Sequence, residues 1–138
     1  KNLMPLSASH NPAADNGIKF FGPGGIKLTD ADEARIEALL PAAAGPLGAA
    51  PAERDGESAY VEAASALLPA GALRGWRVVL DTAHGASVRT SAAVLRGLGA
   101  ELVRLGDAPD GRNINADVGS EHPEALAAAV RAHGARLG

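Results

Sequence analysis

The sequence predicts an α/β protein in which mixed or parallel sheets are covered by helices. From Arg77 onward short apolar runs alternate with longer segments of helical period, a βαβα order. Glycines stand at the ends of the helical segments, at Gly99 and Gly134. Val78-Val79-Leu80 is an unbroken apolar run of the kind a buried strand requires.

Leu3 to Leu6 is a short apolar run interrupted by Pro5, which fits only an edge or ragged strand, because proline has no N–H to donate to a ladder. Ile18 to Phe21 and Ile26 to Leu28 flank Gly22-Pro23-Gly24-Gly25, and this glycine-rich turn most economically makes a hairpin. It is not a phosphate-cradling P-loop, which would open directly into a helix rather than into the strand-like Ile26-Lys27-Leu28. Thr29-Asp30-Ala31-Asp32 supplies a hydroxyl cap and early carboxylates for a helix whose apolar stripe is Ile36, Leu39 and Leu40, ended by Pro41. Residues 41–56 are rich in Ala, Gly and Pro without periodicity and read as a linker. A second helix is expected from about Glu57, with Tyr60, Ala64, Leu67 and Leu68 on one face and Pro69 closing it. Next come the strand at 78–80, a helix from Ser87 to Leu98, a strand from Glu101 to Leu105 and a helix from Pro123 to His133, with a further strand beginning near Arg136-Leu137-Gly138. Trp76 reads as a packing residue ahead of the first strand, and Asp110-Gly111 as a turn.

At 138 residues there is room for one domain, or for a domain and part of another. The chain opens at Lys1 with its only methionine at position 4, so it is expected to be a fragment of a longer protein. A net charge of −3 with both signs interspersed gives no footprint for nucleic acid and no basic run for an anionic membrane surface. No apolar run approaches the ~20 residues that span a bilayer, and no secretory signal is visible. The absence of cysteine excludes disulfides and thiolate metal sites. A cytoplasmic protein acting on a small molecule is the expectation.

The chemistry concentrates in Ser7-Ala8-Ser9-His10-Asn11-Pro12 and the following Asp15-Asn16-Gly17-Ile18-Lys19. A free serine is a poor nucleophile, useful when a base or metal activates it or when it already carries a phosphoryl group for an in-line acceptor. Asn11-Pro12 and Asn16-Gly17 are turn-forming pairs that can hold Ser9 at a rim. A phosphoserine there carries about −1.5 to −2 charges near neutral pH, which calls for a divalent cation and cationic side chains such as Lys19. By these residues alone, Ser9 and His10 could equally make local side-chain to backbone hydrogen bonds, and Lys19 could be the polar member of a short strand. A serine-hydrolase arrangement is disfavoured, since sequence neighbours rarely face each other as nucleophile and base and no Gly-x-Ser-x-Gly elbow is present. Asp81-Thr82-Ala83-His84-Gly85-Ala86 is a strand-end loop of the kind that holds ligands in open α/β sheets, although Asp81 and His84 could as well be strand-end hydrogen-bonding groups. His122 and His133 lie eleven apart without suitable partners, which argues against a metal site.

The whole Ser7–Lys19 stretch resembles the active-site serine loop of the α-D-phosphohexomutases, with the spacing from Ser9 to Lys19 matched without a gap. Three further segments are similar to the glucosamine branch of that family: 81–86, Pro109-Asp110-Gly111-Arg112-Asn113-Ile114-Asn115, and 118–126. The resemblance thus extends over nearly the whole chain. Pro5 departs from it, since the family's segment before the serine motif usually reads as an uninterrupted strand.

The resemblance implies a four-domain enzyme, of which 1–40 would be the end of the first domain, 41–56 a linker, and 57–138 a second domain cut before the metal loop. It implies interconversion of glucosamine 6-phosphate and glucosamine 1-phosphate through glucosamine 1,6-bisphosphate, on the route to UDP-N-acetylglucosamine and the cell wall. Ser9 would carry the phosphoryl group and bind Mg²⁺ through it, Lys19 would assist proton transfer, His10 and Asn11 would shape the loop, and His84 would stand at the second domain's strand-end loop. The family's acidic metal loop is expected just after Gly138, so the 138 residues alone are expected to be inactive. The rival readings are a mutase of mannose or glucose phosphates and, from another class, a non-catalytic folding or interaction module.

Overall fold

The computed structural model describes residues 4–7, 9–15, 17–40, 48–50, 52 and 54–138. The Leu3 start of the first apolar run, Asn16 of the Asn-Gly turn, the Pro41 helix stop and most of the expected linker fall outside them. The chain is α/β, and its internal contacts divide it into two units, Lys1–Ser9 with Asn16–Glu53, and His10–Asp15 with Arg54–Gly138.

In the first unit the strand-like runs meet as single antiparallel bridges, Leu6 with Ile18 and Phe21 with Lys27. Pro5 is accommodated because only its carbonyl is used, accepting from the Lys19 N–H at 3.0 Å. The hairpin is closed by Gly22 N–H donating to the Ile26 carbonyl at 2.8 Å around a 3₁₀ turn at Pro23–Gly25, where Gly24 has φ 80°. Helix α1 (Asp30–Glu37) starts as its sequence dictates: Thr29 Oγ1 accepts from the Asp32 N–H and donates to the Asp32 carboxylate at 2.7 Å. It stops earlier than its apolar residues suggest. Leu39 and Leu40 lie in a tightened turn after the helix, bonded back to Ile36 and Glu37, and both are exposed.

The second unit is built on two parallel strands, β1 (Arg77–Asp81) and β2 (Glu101–Leu105), paired from Arg77 with Glu101 through Asp81 with Leu105. On its other edge β1 meets Leu137 through a parallel bridge, with the Val79 N–H donating to the Leu137 carbonyl at 3.0 Å. Val78 and Val79 are therefore buried, Val79 to 1% exposure, together with Ala92, Leu98 and Ala100. The β1–β2 crossover carries a 3₁₀ turn at Ala86–Val88 and helix α3 (Thr90–Gly97), and helix α4 (Pro123–Ala132) packs beside β1.

Two helical expectations need correction. The helix expected from Ser87 begins at Thr90, because the chain leaves Gly85 through the 3₁₀ turn before it becomes α-helical. Helix α2 (Gly56–Ser65) starts within the predicted linker on an Asp55 cap and ends before Leu67, and of the face expected to pack only Ala64 is half-buried. Tyr60 is 60% exposed and Leu67 81%, whereas Val61, Ala64 and Ser65 are half-buried on the helix that contacts α3. A Cβ at Gly97 would sit 3.9 Å from Ser65 Oγ, so small residues set this approach. Glu57 is paired with Arg89 at the same contact.

What holds the strand ends is a polar clamp. Asp81, the last residue of β1, accepts the Ala83 N–H on Oδ1 and the Gly119 N–H on Oδ2, both at 2.8 Å. Buried Thr82 donates its hydroxyl to the Gly106 carbonyl at 2.8 Å, and the Ala83 carbonyl accepts the Asn115 N–H at 2.9 Å. Two glycines make room for this. A Cβ on Gly106 (φ 56°) would lie 2.5 Å from Asp81 Oδ1, and one on Gly119 (φ 86°) 2.8 Å from the Ala83 Cβ. On β2, Arg104 ties the strand to the 3₁₀ turn through the Val88 carbonyl at 3.0 Å; its Nε lies 3.3 Å from Asp107 but out of hydrogen-bond alignment.

Gly106→Ala is expected to cost about 2–4 kcal/mol, combining overpacking with left-handed strain. Gly111→Ala, where φ is 85° but nothing stands within 4 Å, is expected to cost only about 1 kcal/mol of strain. Urea unfolding of the two variants separates them, and equal losses would refute the clamp. A second expectation concerns Asp55, whose carboxyl is held below its ordinary value by hydrogen bonding from the Ser58 side chain and then the Ser58 N–H. Because its folded-state value is depressed, its contribution is complete above the ordinary carboxylate value and is lost as pH falls through the lowered one. Helicity followed below about pH 4 should show this loss in the wild type, and Asp55→Asn, which keeps a cap, should remove that component.

Candidate active-site loop

The residues singled out by the serine motif sit on a strained, closed loop. Ser7 donates its N–H to the Gly17 carbonyl at 2.8 Å, and Ser9 donates its own N–H to Ser7 Oγ at 3.1 Å. This places Ser9 at φ 59°, a left-handed conformation that costs a non-glycine residue roughly 1–2 kcal/mol and that recurs at functional turns. Ser9 is exposed.

His10–Asp15 belong by their contacts to the second unit. Asp15 closes a turn on the Pro12 carbonyl at 3.0 Å, and the Asn11 carbonyl accepts from Asn115 Nδ2 at 2.9 Å. His10 and Pro12 share a cavity of about 340 Å³ with Arg112, Asn115, Asp117 and His122. The far wall is prepared locally. Asp110 accepts the Arg112 N–H, Asn113 Oδ1 accepts the Asp110 N–H, and Asn113 Nδ2 donates to the Ala108 carbonyl, so the expected Asp110-Gly111 turn carries its own bracing. Beyond it Asn115 and Asp117 both take left-handed φ, at 59° and 55°.

His84 is not brought to this cavity. It has φ 51°, its N–H donates to the Gly106 carbonyl, and its Nδ1 accepts the Ala108 N–H at 3.1 Å, which requires the neutral ring to carry its proton on Nε2. It lines a separate cavity of about 410 Å³ with Pro109 and Ile114. Asp81, weighed above as a strand-end or active-site carboxylate, has both oxygens engaged by backbone N–H groups. Lys19 is exposed in the first unit and lines a cavity of about 510 Å³ with Ile18, Phe20, Lys27, Ile36 and Leu40. Asn115 escaped the sequence reading of the site. Nothing in Asn113-Ile114-Asn115 separates the asparagine that braces its own turn from the one that reaches across to Asn11. Among the described residues no three His, Cys, Asp or Glu side chains are grouped to hold a metal.

Comparison with known proteins gives the relatives of this sequence. Residues 3–44 match the family described as phosphoglucomutase/phosphomannomutase, alpha/beta/alpha domain I. Over 96% of its length the chain is 54% identical to a phosphoglucosamine mutase of Cereibacter sphaeroides (strain ATCC 17025) and 52% identical to one of Paracoccus denitrificans. A phosphoglucosamine mutase of Symbiobacterium thermophilum is 51% identical over the same share. The chain spans about a third, 31%, of the length of each of these relatives. With the serine loop, the strand-end loop and the Asn-Ile-Asn turn all inside the aligned stretch, the chain belongs to the phosphohexomutase family, among its phosphoglucosamine mutase relatives.

Proposed function

We propose that this chain is part of a phosphoglucosamine mutase in which Ser9 is the phosphate carrier. The observation that carries the reading is the unbroken run from Ser9-His10-Asn11-Pro12 to Lys19, set on a loop that holds Ser9 exposed at positive φ. Identity above 50% to relatives named for that activity supports the choice of glucosamine phosphate as substrate. By the same reading, residues 1–40 end a first domain, 41–56 link, and 57–138 belong to a second.

In the forward half-reaction a hydroxyl oxygen of the sugar monophosphate attacks the phosphorus carried by Ser9. The new P–O bond forms as the bond to Ser9 Oγ breaks, and the hydroxyl proton is passed on, with Lys19 as the proton-transfer group. After the bisphosphate turns over, Ser9 Oγ takes the other phosphoryl group and releases the isomeric monophosphate. Catalysis of this kind is mostly positioning and charge neutralisation, so His10 and Asn11 matter through the shape they give the loop, and His84 through its strand-end loop. Mg²⁺ bound through the Ser9 phosphate belongs to the proposal; among the described residues no three His, Cys, Asp or Glu side chains are grouped to hold it, and by the resemblance its carboxylate ligands would belong to the family's acidic metal loop. A cytoplasmic setting is part of the same proposal; among the described residues no helix is long and apolar enough to cross a membrane.

Peptide mass spectrometry of the complete protein is expected to find phosphate on Ser9 and not on Ser7, and Ser9→Ala is expected to lower mutase turnover by about 10³-fold or more. Full activity in Ser9→Ala would sink the assignment. Of the glucosamine, mannose and glucose phosphates, the first is expected to show the highest kcat/KM, and a higher value for mannose phosphate would move the protein to the rival branch. The 138 residues alone are expected to give no Mg²⁺-dependent turnover beside the complete protein, since charge neutralisation in phosphoryl transfer contributes orders of magnitude in rate.

A further inference from the structure

We propose that Asn115 is a positioning residue for the serine loop: its side-chain amide holds the Asn11 carbonyl and so fixes the path of the chain leaving Ser9. The inference rests on the reading of Ser9 as the phosphate carrier. Asn115 Nδ2 donates to the Asn11 carbonyl at 2.9 Å, across 104 positions of sequence. The donor is itself rigidly placed. Its backbone N–H is held by the Ala83 carbonyl at 2.9 Å, Ala83 is held by Asp81, and Asp81 is the last residue of β1. An unbroken chain of hydrogen bonds therefore runs from the end of a core strand to the residue two positions after Ser9. The backbone at Asn115 is left-handed, a conformation that asparagine and glycine tolerate and most residues do not, so the position selects for asparagine on two independent grounds.

The fit to function is geometric. A reacting group displaced by about 1 Å can lose about 10²-fold in rate without any change in substrate affinity. Asn11 is an exposed loop residue, and the turn that follows it, closed by Asp15 on the Pro12 carbonyl, does not extend back to it or to Ser9. The Asn115 amide adds a fixed point from outside that turn.

Two substitutions isolate the amide from the backbone. Asn115→Gly keeps the left-handed conformation unstrained and removes the donor, while Asn115→Asp keeps size and shape but turns an acceptor toward the Asn11 carbonyl. In the complete protein, both are expected to lower kcat by about 10- to 100-fold with KM within about twofold, and Asp is expected to be the worse. Hydrogen exchange at the His10, Asn11 and Ala13 amides should accelerate in both variants, while thermal unfolding stays close to wild type. A residue needed only for its backbone would make Asp behave like the wild type and would leave exchange in the loop unchanged, which would overturn the proposal. So would a loss of turnover that merely follows a fall in thermal stability. Ser9→Ala run alongside separates the two readings. If Ser9→Ala abolishes turnover and the Asn115 variants keep kcat within twofold, the positioning role alone fails. If Ser9→Ala stays active, the phosphoserine reading fails, and loop exchange in the Asn115 variants then decides the anchor by itself.

Discussion

The carboxylate of Asp81 is the constraint on which the rest of the second unit's strand ends depend. Its two oxygens are shared between backbone N–H groups 36 residues apart, at Ala83 and Gly119, so one side chain fixes the exits of two different loops. Hydrogen bonds to a charged acceptor are among the stronger ones in proteins, and removing such an acceptor leaves donors without partners. The cost of the arrangement is visible in the backbone around it. Ala83, His84, Asn115 and Asp117 all take left-handed φ, and Gly106 and Gly119 are where a Cβ would collide with the clamp. Strain gathered at one place and held by a dense set of hydrogen bonds is how a loop keeps a shape it would not choose alone.

Much of the scaffold can be read from local sequence because the signals there are local. Thr29 caps α1 where a hydroxyl precedes early carboxylates, Val78-Val79-Leu80 lies inside β1, Glu101–Leu105 is β2, and Pro123 opens α4. The misplaced face of α2 has its origin in small side chains. In and just after α2, Tyr60 and Leu67 look like the packing face by size, yet both are exposed while Val61, Ala64 and Ser65 are half-buried on the helix that contacts α3, because close approach favours residues with little to displace. An alanine-rich helix offers several faces of nearly equal hydrophobicity, and the neighbour chooses among them.

The candidate site divides in the same way. Ser9, His10 and Asn11 declare themselves through a contiguous motif, whose residues are neighbours in sequence. Asn115 does not, since its partner lies on the far side of three α-helices and two strands, and no spacing rule links the two. His84 shows the converse. A histidine in a strand-end loop looks available for chemistry, yet its Nδ1 is taken by the Ala108 N–H.

The bond between Asn11 and Asn115 also has a consequence in time. It closes a span of 104 residues, and it cannot form until Asp81 and Ala83 have taken their places at the end of a parallel strand pair. Parallel pairing is slow compared with local turns, because the entropy of a long loop must be lost before any contact repays it. At a synthesis rate of about 5–20 residues per second, Asn11 leaves the ribosome roughly 5–20 s before its anchor exists. The segment following Ser9 is thus made well before the residue that anchors it, so a phosphate added early would ride on a loop whose outer support is still unsynthesised.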